Sequence, residues 1–300
     1  MPWHSKRNEA RSYVIHQPEK SNRIRHIIYA NKHLGSGGLT KLQGGTWNLS
    51  GVNTYTGPTT VSAGRLNVNS PGSLAAGSAV SVASGATLGG NGTINGPVTV
   101  ASGGTLAPGT SIGTLTLGSS PSLGGTLSME INRSAVPNAD KLNVLAPLTY
   151  GGTLTIVNVG SGLTGGEAVD LFDATSFSGS FSTMNLPTPP AGDNWYTGDL
   201  TFDGTLKLNR PPVASDKTYT RGKGISLKIF KSDLLVGASD PDSGSGDSVS
   251  YDALTSTGTQ GAAVSEDSGT IYYEPANDNN DVMTFRVKDT RGGTVTKNLV

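Results

Sequence analysis

The sequence predicts an all-β protein, with a β-solenoid over residues 39–209 and a β-sandwich over residues 213–300. Three observations carry this prediction. From Leu39 onward, short alternations of apolar and small polar residues recur, each closed by glycine within a few positions. One unit returns at an 18-residue offset: Val80-Ser-Val-Ala-Ser-Gly-Ala-Thr-Leu88 and Val98-Thr-Val-Ala-Ser-Gly-Gly-Thr-Leu106 differ only at Ser81/Thr99 and Ala86/Gly104. After Arg210-Pro-Pro-Val213, short strand candidates take sandwich-like spacing.

The elements follow in order. Residues 1–38 carry Lys6, Arg7, Arg11, Lys20, Arg23, Arg25 and Lys32 against Glu9 and Glu19, with no clean hydrophobic period, and are expected to form a basic, disordered leader. No apolar core of about 7–15 residues marks a signal peptide there. Leu39–Asn69 is expected to be the first coil of the rod, with Trp47 and Tyr55 packing or capping its open start. An offset near 20 residues is the length of one β-helix coil, built of two or three strands and tight turns. Val80/Val82 and Val98/Val100 then point inward and stack on one another, while Ser81 and Thr99 point outward. Glycines supply the corners, and Asn69, Asn91 and Asn95 suit the turns.

Coils continue through Gly113–Leu117, Gly125–Ile131, Lys141–Val144 and Gly152–Val157. Bulkier residues in Ala168–Phe172 and Phe177–Phe181 suit a terminal cap. Residues 210–212 read as a linker. In residues 213–300, Leu227, Ile229, Val249, Tyr251, Ile271, Tyr273, Phe285 and Val287 are the expected core.

Composition narrows the function classes. Hydrophobic residues make up 34% and aromatics 6%, too little for one large globular core but enough for a thin core repeated along an axis. The formal charge is zero, so no general attraction to nucleic acid is expected. With no cysteine, disulfides, zinc–thiolate sites and cysteine nucleophiles are excluded. No apolar run is long enough to span a membrane as a helix. All four histidines, His4, His16, His26 and His33, lie in the leader and are not at metal-ligand spacing.

Gly45-Thr-Trp-Asn-Leu-Ser-Gly-Val-Asn-Thr-Tyr-Thr-Gly-Pro-Thr-Thr-Val-Ser-Ala-Gly-Arg-Leu66 resembles the autotransporter-associated β-strand repeat, also called the passenger-associated transport repeat. Leu106-Ala-Pro-Gly, Ile112-Gly-Thr-Leu and Ala139-Asp-Lys-Leu-Asn-Val144 are similar to segments that follow such repeats in large bacterial surface proteins. The resemblance implies a right-handed β-helix in an exported passenger region. Ala238-Ser-Asp-Pro-Asp-Ser-Gly, Ile271-Tyr-Tyr-Glu-Pro and Asp281-Val-Met-Thr-Phe-Arg-Val-Lys-Asp289 resemble bacterial cadherin-like tandem repeats. That makes the C-terminal part an immunoglobulin/cadherin-like sandwich, and the chain one part of a longer protein.

Candidate chemistry is sparse. Asp240, Asp242 and Asp247 share one loop, and Asp289 can approach from a turn at the same end of the sandwich. Calcium takes oxygen ligands from carboxylates and carbonyls, so this is the candidate metal site; a solvated acidic turn is the competing reading. Trp195 and Tyr196 offer stacking platforms for carbohydrate, with packing as the alternative. Polysaccharide-cleaving β-helices need clustered carboxylates on one face. Here Glu167 and Asp170 are three apart in an extended stretch and so point to opposite faces. The function expected is a non-enzymatic extracellular scaffold that spaces or displays binding modules at the bacterial surface. Its expected partners are cell-surface or extracellular polysaccharide or protein, and calcium is the only cofactor considered. A polysaccharide-binding or polysaccharide-degrading β-helix protein is the alternative.

Overall fold

The computed structural model describes two short strands, Tyr13–Ile15 and Ile27–Tyr29, and all residues from 35 to 300. The described chain divides into two compact units. The first holds residues up to 162 with Ala168–Thr188 and Thr197–Leu206; the second holds Leu163–Glu167, Pro189–Tyr196 and Lys207–Val300.

The first unit is a β-solenoid whose parallel strands run coil upon coil in three faces. One face stacks Tyr13–Ile15, Leu39–Lys41, Thr59–Val61, Val80–Val82, Val98–Val100 and Ser122–Leu123. An eight-stranded face begins at Ile27–Tyr29 and ends at Thr183–Asn185. A third face of five strands runs from Ser73–Leu74 to Phe172–Asp173. The repeat read from sequence is the physical register: Val80 pairs with Val98, Ser81 with Thr99 and Val82 with Val100.

Each strand alternates by the two-residue period, and each inward residue lands on its counterpart one coil away. On the long face, Trp47, Leu66, Leu88, Leu106, Leu127 and Leu154 form one buried stack. Each buried aliphatic contributes about 1.5–3 kcal/mol. Their outward neighbours Thr87, Thr105, Thr126 and Thr153 form a threonine row, and β-branched residues suit this half-exposed position.

One expectation is corrected. Leu39–Asn69 is not the first coil, because Tyr13–Ile15 pairs with Leu39–Lys41 and Ile27–Tyr29 pairs with Trp47–Leu49. Tyr-Val-Ile and Ile-Ile-Tyr are strong strand-forming triplets set within a basic background that hides them. The remainder of the expected leader lies outside the described residues. The asparagines do serve the turns: Asn95 Nδ2 donates to Leu74 O at 2.9 Å, and Asn91 Oδ1 accepts from Ser70 N at 3.0 Å.

Polar residues enter the solenoid interior at a few places, and each has partners. Lys41 occupies the position that Val61, Val82 and Val100 hold in later coils, yet it is fully buried. Its ammonium donates to the carbonyls of Gln43 (2.7 Å), Leu42 (2.9 Å), Ala63 (3.1 Å) and Gly44 (3.3 Å), and lies 5.3 Å from the centre of the Trp47 ring. Burial lowers its pKa. Gly64, at φ 70°, completes this corner; a Cβ there would lie 2.5 Å from Gly45 O. In the neighbouring stack Thr59 meets the Tyr55 hydroxyl at 2.6 Å and the Ser78 hydroxyl at 2.9 Å.

Arg65 straps three coils. Its Nε donates to Asn67 at 2.6 Å, and its Nη2 reaches over Gly89 to the carbonyls of Gly109 (3.3 Å) and Ala107 (3.4 Å). Further along, Asp140 is buried and fastens two coils, accepting from Glu130 N at 2.7 Å and Gly113 N at 2.9 Å. Burial pushes its carboxyl up to about 7; the Glu130 charge adds to this, and the two backbone amides and Arg65 oppose it. Toward the last coils aromatic rings gather around Tyr150. The Tyr150 ring contacts Phe181 (4.8 Å), Phe172 (5.1 Å) and Phe177 (6.0 Å). Its hydroxyl donates to Leu200 O at 2.6 Å.

The second unit contains an antiparallel sandwich. One sheet orders Leu227–Phe230, Thr270–Glu274 and Ala263–Glu266; the other orders Val249–Ser256, Met283–Asp289 and Thr294–Leu299. Five of the expected core residues, Ile229, Ile271, Tyr273, Phe285 and Val287, are buried, while Leu227, Val249 and Tyr251 pack partly buried against them. Leu234, Met283 and Leu299 complete the core. Leu234 sits on the single helical turn Lys231–Leu234, where a two-residue period does not apply. The residues expected as a linker lie inside this unit.

Two outcomes are expected from the solenoid. Lys41→Ala removes a buried ammonium and its hydrogen bonds to four corner carbonyls, and should destabilise the first unit by about 2–4 kcal/mol, read as a lower denaturation midpoint. The Asp140 carboxyl binds its proton more tightly folded than unfolded, so its contribution to stability declines as pH rises from about 4 to about 7. Asp140→Asn does not titrate. Its melting temperature relative to the parent protein should therefore be higher at about pH 7.5 than at about pH 4, and equal differences at both would refute this.

Candidate metal centre

The loop after Ser239 is set by chain geometry. Ser239 exchanges backbone hydrogen bonds with Val213, fixing the start of the Asp240-Pro-Asp242 turn. A short 3₁₀ turn at Ser243–Ser245 ends on Gly246, whose left-handed φ of 88° sends the chain back toward strand Val249–Ser256. Asp247 thereby returns beside Asp240, and Asp289, at the end of strand Met283–Asp289, completes the group. One oxygen of each carboxylate lies within 4.8 Å of the other two, and all three residues are buried.

Their hydrogen bonds leave a defined remainder. Asp289 Oδ1 accepts from Arg291 N and Gly293 N, both at 2.8 Å, and its Oδ2 accepts from Asn209 Nδ2 at 2.9 Å. Asp247 Oδ1 accepts from Ser248 N, Thr290 N and the Thr290 hydroxyl. Its Oδ2 has no hydrogen bond among the described residues, and the Arg291 guanidinium stands 3.7 Å away. Asp240 Oδ1 accepts from Asp242 N at 2.6 Å, and its Oδ2 is buried without a partner. Burial raises the Asp240 pKa, and the Asp247, Asp289 and Asp242 charges add to the effect.

Unsatisfied buried carboxylate oxygens are costly, and three acids converging in one place compound that cost. A divalent cation with an appetite for oxygen relieves both. The donor set is all oxygen, which suits calcium rather than zinc or copper. The buried Asn209 lies beside the group: its Nδ2 donates to Asp289, and its Oδ1 has no partner among the described residues.

Of the four aspartates expected here, the structure brings three together. Asp242 turns instead to Arg210, accepting from its backbone N (2.8 Å), Nε (3.0 Å) and Nη2 (2.6 Å). Asn209 was missed because strand alternation in Thr205–Asn209 puts it on the same side as Thr205 and Lys207, an exposed position by pattern. Its only sequence signal is a carboxamide beside a proline-rich turn. Trp195 and Tyr196 lie in strand Asn194–Tyr196, paired antiparallel with Lys207–Asn209. The Arg291 guanidinium sits 5.6 Å from the centre of the Tyr196 ring, which occupies one of the faces considered for stacking.

Comparison with known proteins agrees with this division. Residues 39–68 match the family described as passenger-associated-transport-repeat, and residues 208–300 match the cadherin-like domain family. A stretch of 170 residues is 38% identical to the adhesin BmaC autotransporter of Brucella suis, covering 52% of this chain and 5% of that protein. A stretch of 87 residues is 42% identical to an extracellular serine protease of Serratia marcescens, covering 29% of this chain and 8% of that protein. The chain therefore spans under a tenth of either curated relative. No residue from 35 onward is a histidine, so no Ser–His–Asp set can be assembled in that region. Among the described residues, no helix is long and apolar enough to cross a membrane.

Proposed function

We propose that this chain is part of a non-enzymatic scaffold at the bacterial cell surface or outside the cell: a solenoid stalk that spaces or displays binding modules, joined to a cadherin-like module that holds calcium. The observation that carries the scaffold reading is the in-register interior stack. A fold that commits its inward residues to coil-on-coil packing, and keeps most outward ones small and hydroxylated, offers repetition and length rather than a catalytic cleft. The similarity to an adhesin autotransporter supports placement at the surface.

Among the described residues of the solenoid, the acids that approach one another are neutralised by a lysine rather than left free for acid–base work. Within the third face and the strand before it, Asp170 and Asp173 both pair with Lys141, at 2.5 and 2.7 Å. Glu167 accepts from the backbone and hydroxyl of Thr164. Release of reducing ends from pectate or alginate that vanished on Asp173→Ala or Glu167→Ala would overturn the non-enzymatic reading.

Calcium binds through Asp240, Asp247 and Asp289, with Asn209 supplying a neutral oxygen. With calcium about a hundredfold above its Kd, the melting temperature of the cadherin-like module should rise by about 10–20 °C relative to chelator. Asp240→Asn retains an acceptor for Asp242 N and removes one charge, so it should abolish most of that rise while changing the calcium-free melt little. Superimposable melting curves with calcium and with chelator would eliminate the site.

A further inference from the structure

The sandwich holds a second feature that the scaffold reading does not use. A cavity of about 310 Å³ opens beside strands Leu227–Phe230 and Thr270–Glu274 and the loop 277–281. Its apolar lining is Leu227, Ile229, Met283, Leu299 and Val300, and Tyr219 and Tyr273 also line it. Asp278, Asn279, Asn280, Asp281, Arg221 and Lys223 bring polar groups to it. This is the small end of ligand-pocket size, with the mix of apolar surface and few polar groups that small-molecule sites use.

The hydrogen bonds already made decide which chemistry remains. Asp281 Oδ1 accepts from the backbone of Thr259, Gln260 and Val282, and its Oδ2 accepts from the Tyr273 hydroxyl at 3.2 Å. Asp278 Oδ1 accepts from Gly224 N at 2.8 Å and faces Arg221 at 3.4 Å. These carboxylates are engaged by the protein's own donors, which argues against a second cation. Arg221 also donates to Asn277 O at 2.6 Å, which leaves Lys223 as the lining cation with no ion pair among the described residues, beside two acids. A phosphate or polyanion is therefore disfavoured. A purely apolar ligand would bury the Tyr219 hydroxyl and the Asn280 carboxamide, which have no hydrogen-bond partner among the described residues.

A compact, uncharged ligand with one C–H face and several hydroxyls meets every one of these conditions. We propose that the cavity binds a neutral pyranose residue of an extracellular glycan, its C–H face on the Tyr219 ring and apolar floor, its hydroxyls at Asn280, the Tyr219 hydroxyl and Lys223. Tyrosine suits this role because it pairs an apolar ring with a polar tip. The proposal extends beyond the scaffold and calcium readings and stands or falls without them.

The test is saturation-transfer NMR on the full chain with methyl glucoside, methyl galactoside and methyl mannoside at about 10 mM, with inorganic phosphate and cyclohexanol as comparison probes. Transfer to ring C–H protons of at least one glycoside is expected. It should weaken at least roughly fivefold in Asn280→Ala and in Tyr219→Ala, with the melting curve of Asn280→Ala unchanged. Three results would overturn the proposal: no transfer from any glycoside, transfer unaffected by both substitutions, or cyclohexanol binding as tightly as the best glycoside. Loss of glycoside binding with an intact calcium-dependent melt would sink this inference alone.

Discussion

The parallel ladder is the constraint on which the solenoid depends. Each coil lends its backbone groups to the coils on either side, and a two-residue period puts every inward side chain directly on its predecessor. Register and interior packing are therefore one property. A slip of one residue would carry Leu66, Leu88, Leu106 and Leu127 outward together and bring the arginine and threonines of the outer row inside. Such a core needs little bulk per coil, which explains how a chain with 34% hydrophobic residues sustains it. The coils also lengthen along the chain. Paired positions on the long face stand 18 residues apart at Leu88 and Leu106, 27 apart at Leu127 and Leu154, and 30 apart at Leu154 and Met184. The added residues enter as excursions between strands, such as 132–138, and leave the ladder intact.

Polar groups in the stack show how strictly that geometry is kept. Lys41 takes a valine's place and the fold answers by turning four carbonyls onto its ammonium. Thr59 takes another apolar position and is met by two hydroxyls. Asp140 is the costlier case. Two backbone amides compensate it only in part, so its carboxyl remains poised to accept a proton near neutrality. Each of these groups ties together segments some twenty residues or more apart in sequence, a job for which an aliphatic side chain has no means.

Much of this was legible in the chain. The repeat at Val80 and Val98, the glycine corners, the outward hydroxyls and the aromatic rings of the last coils all follow from period and residue size. What escaped was whatever depends on contacts distant in sequence. Tyr13–Ile15 is three residues long and gains its place only from the strand beside it. Leu234 is buried by a helical turn inside a region of strand period. Lys41 reads as a surface lysine until the facing carbonyls are known. In the acidic centre, the residue types Asp240, Asp247 and Asp289 were visible, but their partners were not. Asp242 has the same spacing credentials and is claimed by Arg210, and Asn209 joins from a strand that sequence pattern ends at the preceding domain.

That exchange of Asp242 for Asn209 sharpens the argument for a cation. With Asp242 paired to Arg210, its charge is balanced within the protein and need not be met at the centre. The remaining three carboxylates have one guanidinium at 3.7 Å from Asp247, and among the described residues no cation forms an ion pair with Asp240. Burial makes that imbalance expensive, and the raised pKa of Asp240 is its direct expression. Proton and metal are then alternative means of neutralising the same oxygen. The proton relieves one carboxylate and silences it as an acceptor, whereas a divalent ion would be shared by all three carboxylates. The proposed calcium would be the second solution: the orphaned atoms belong to separate segments of the chain, and a shared ligand would satisfy them at once.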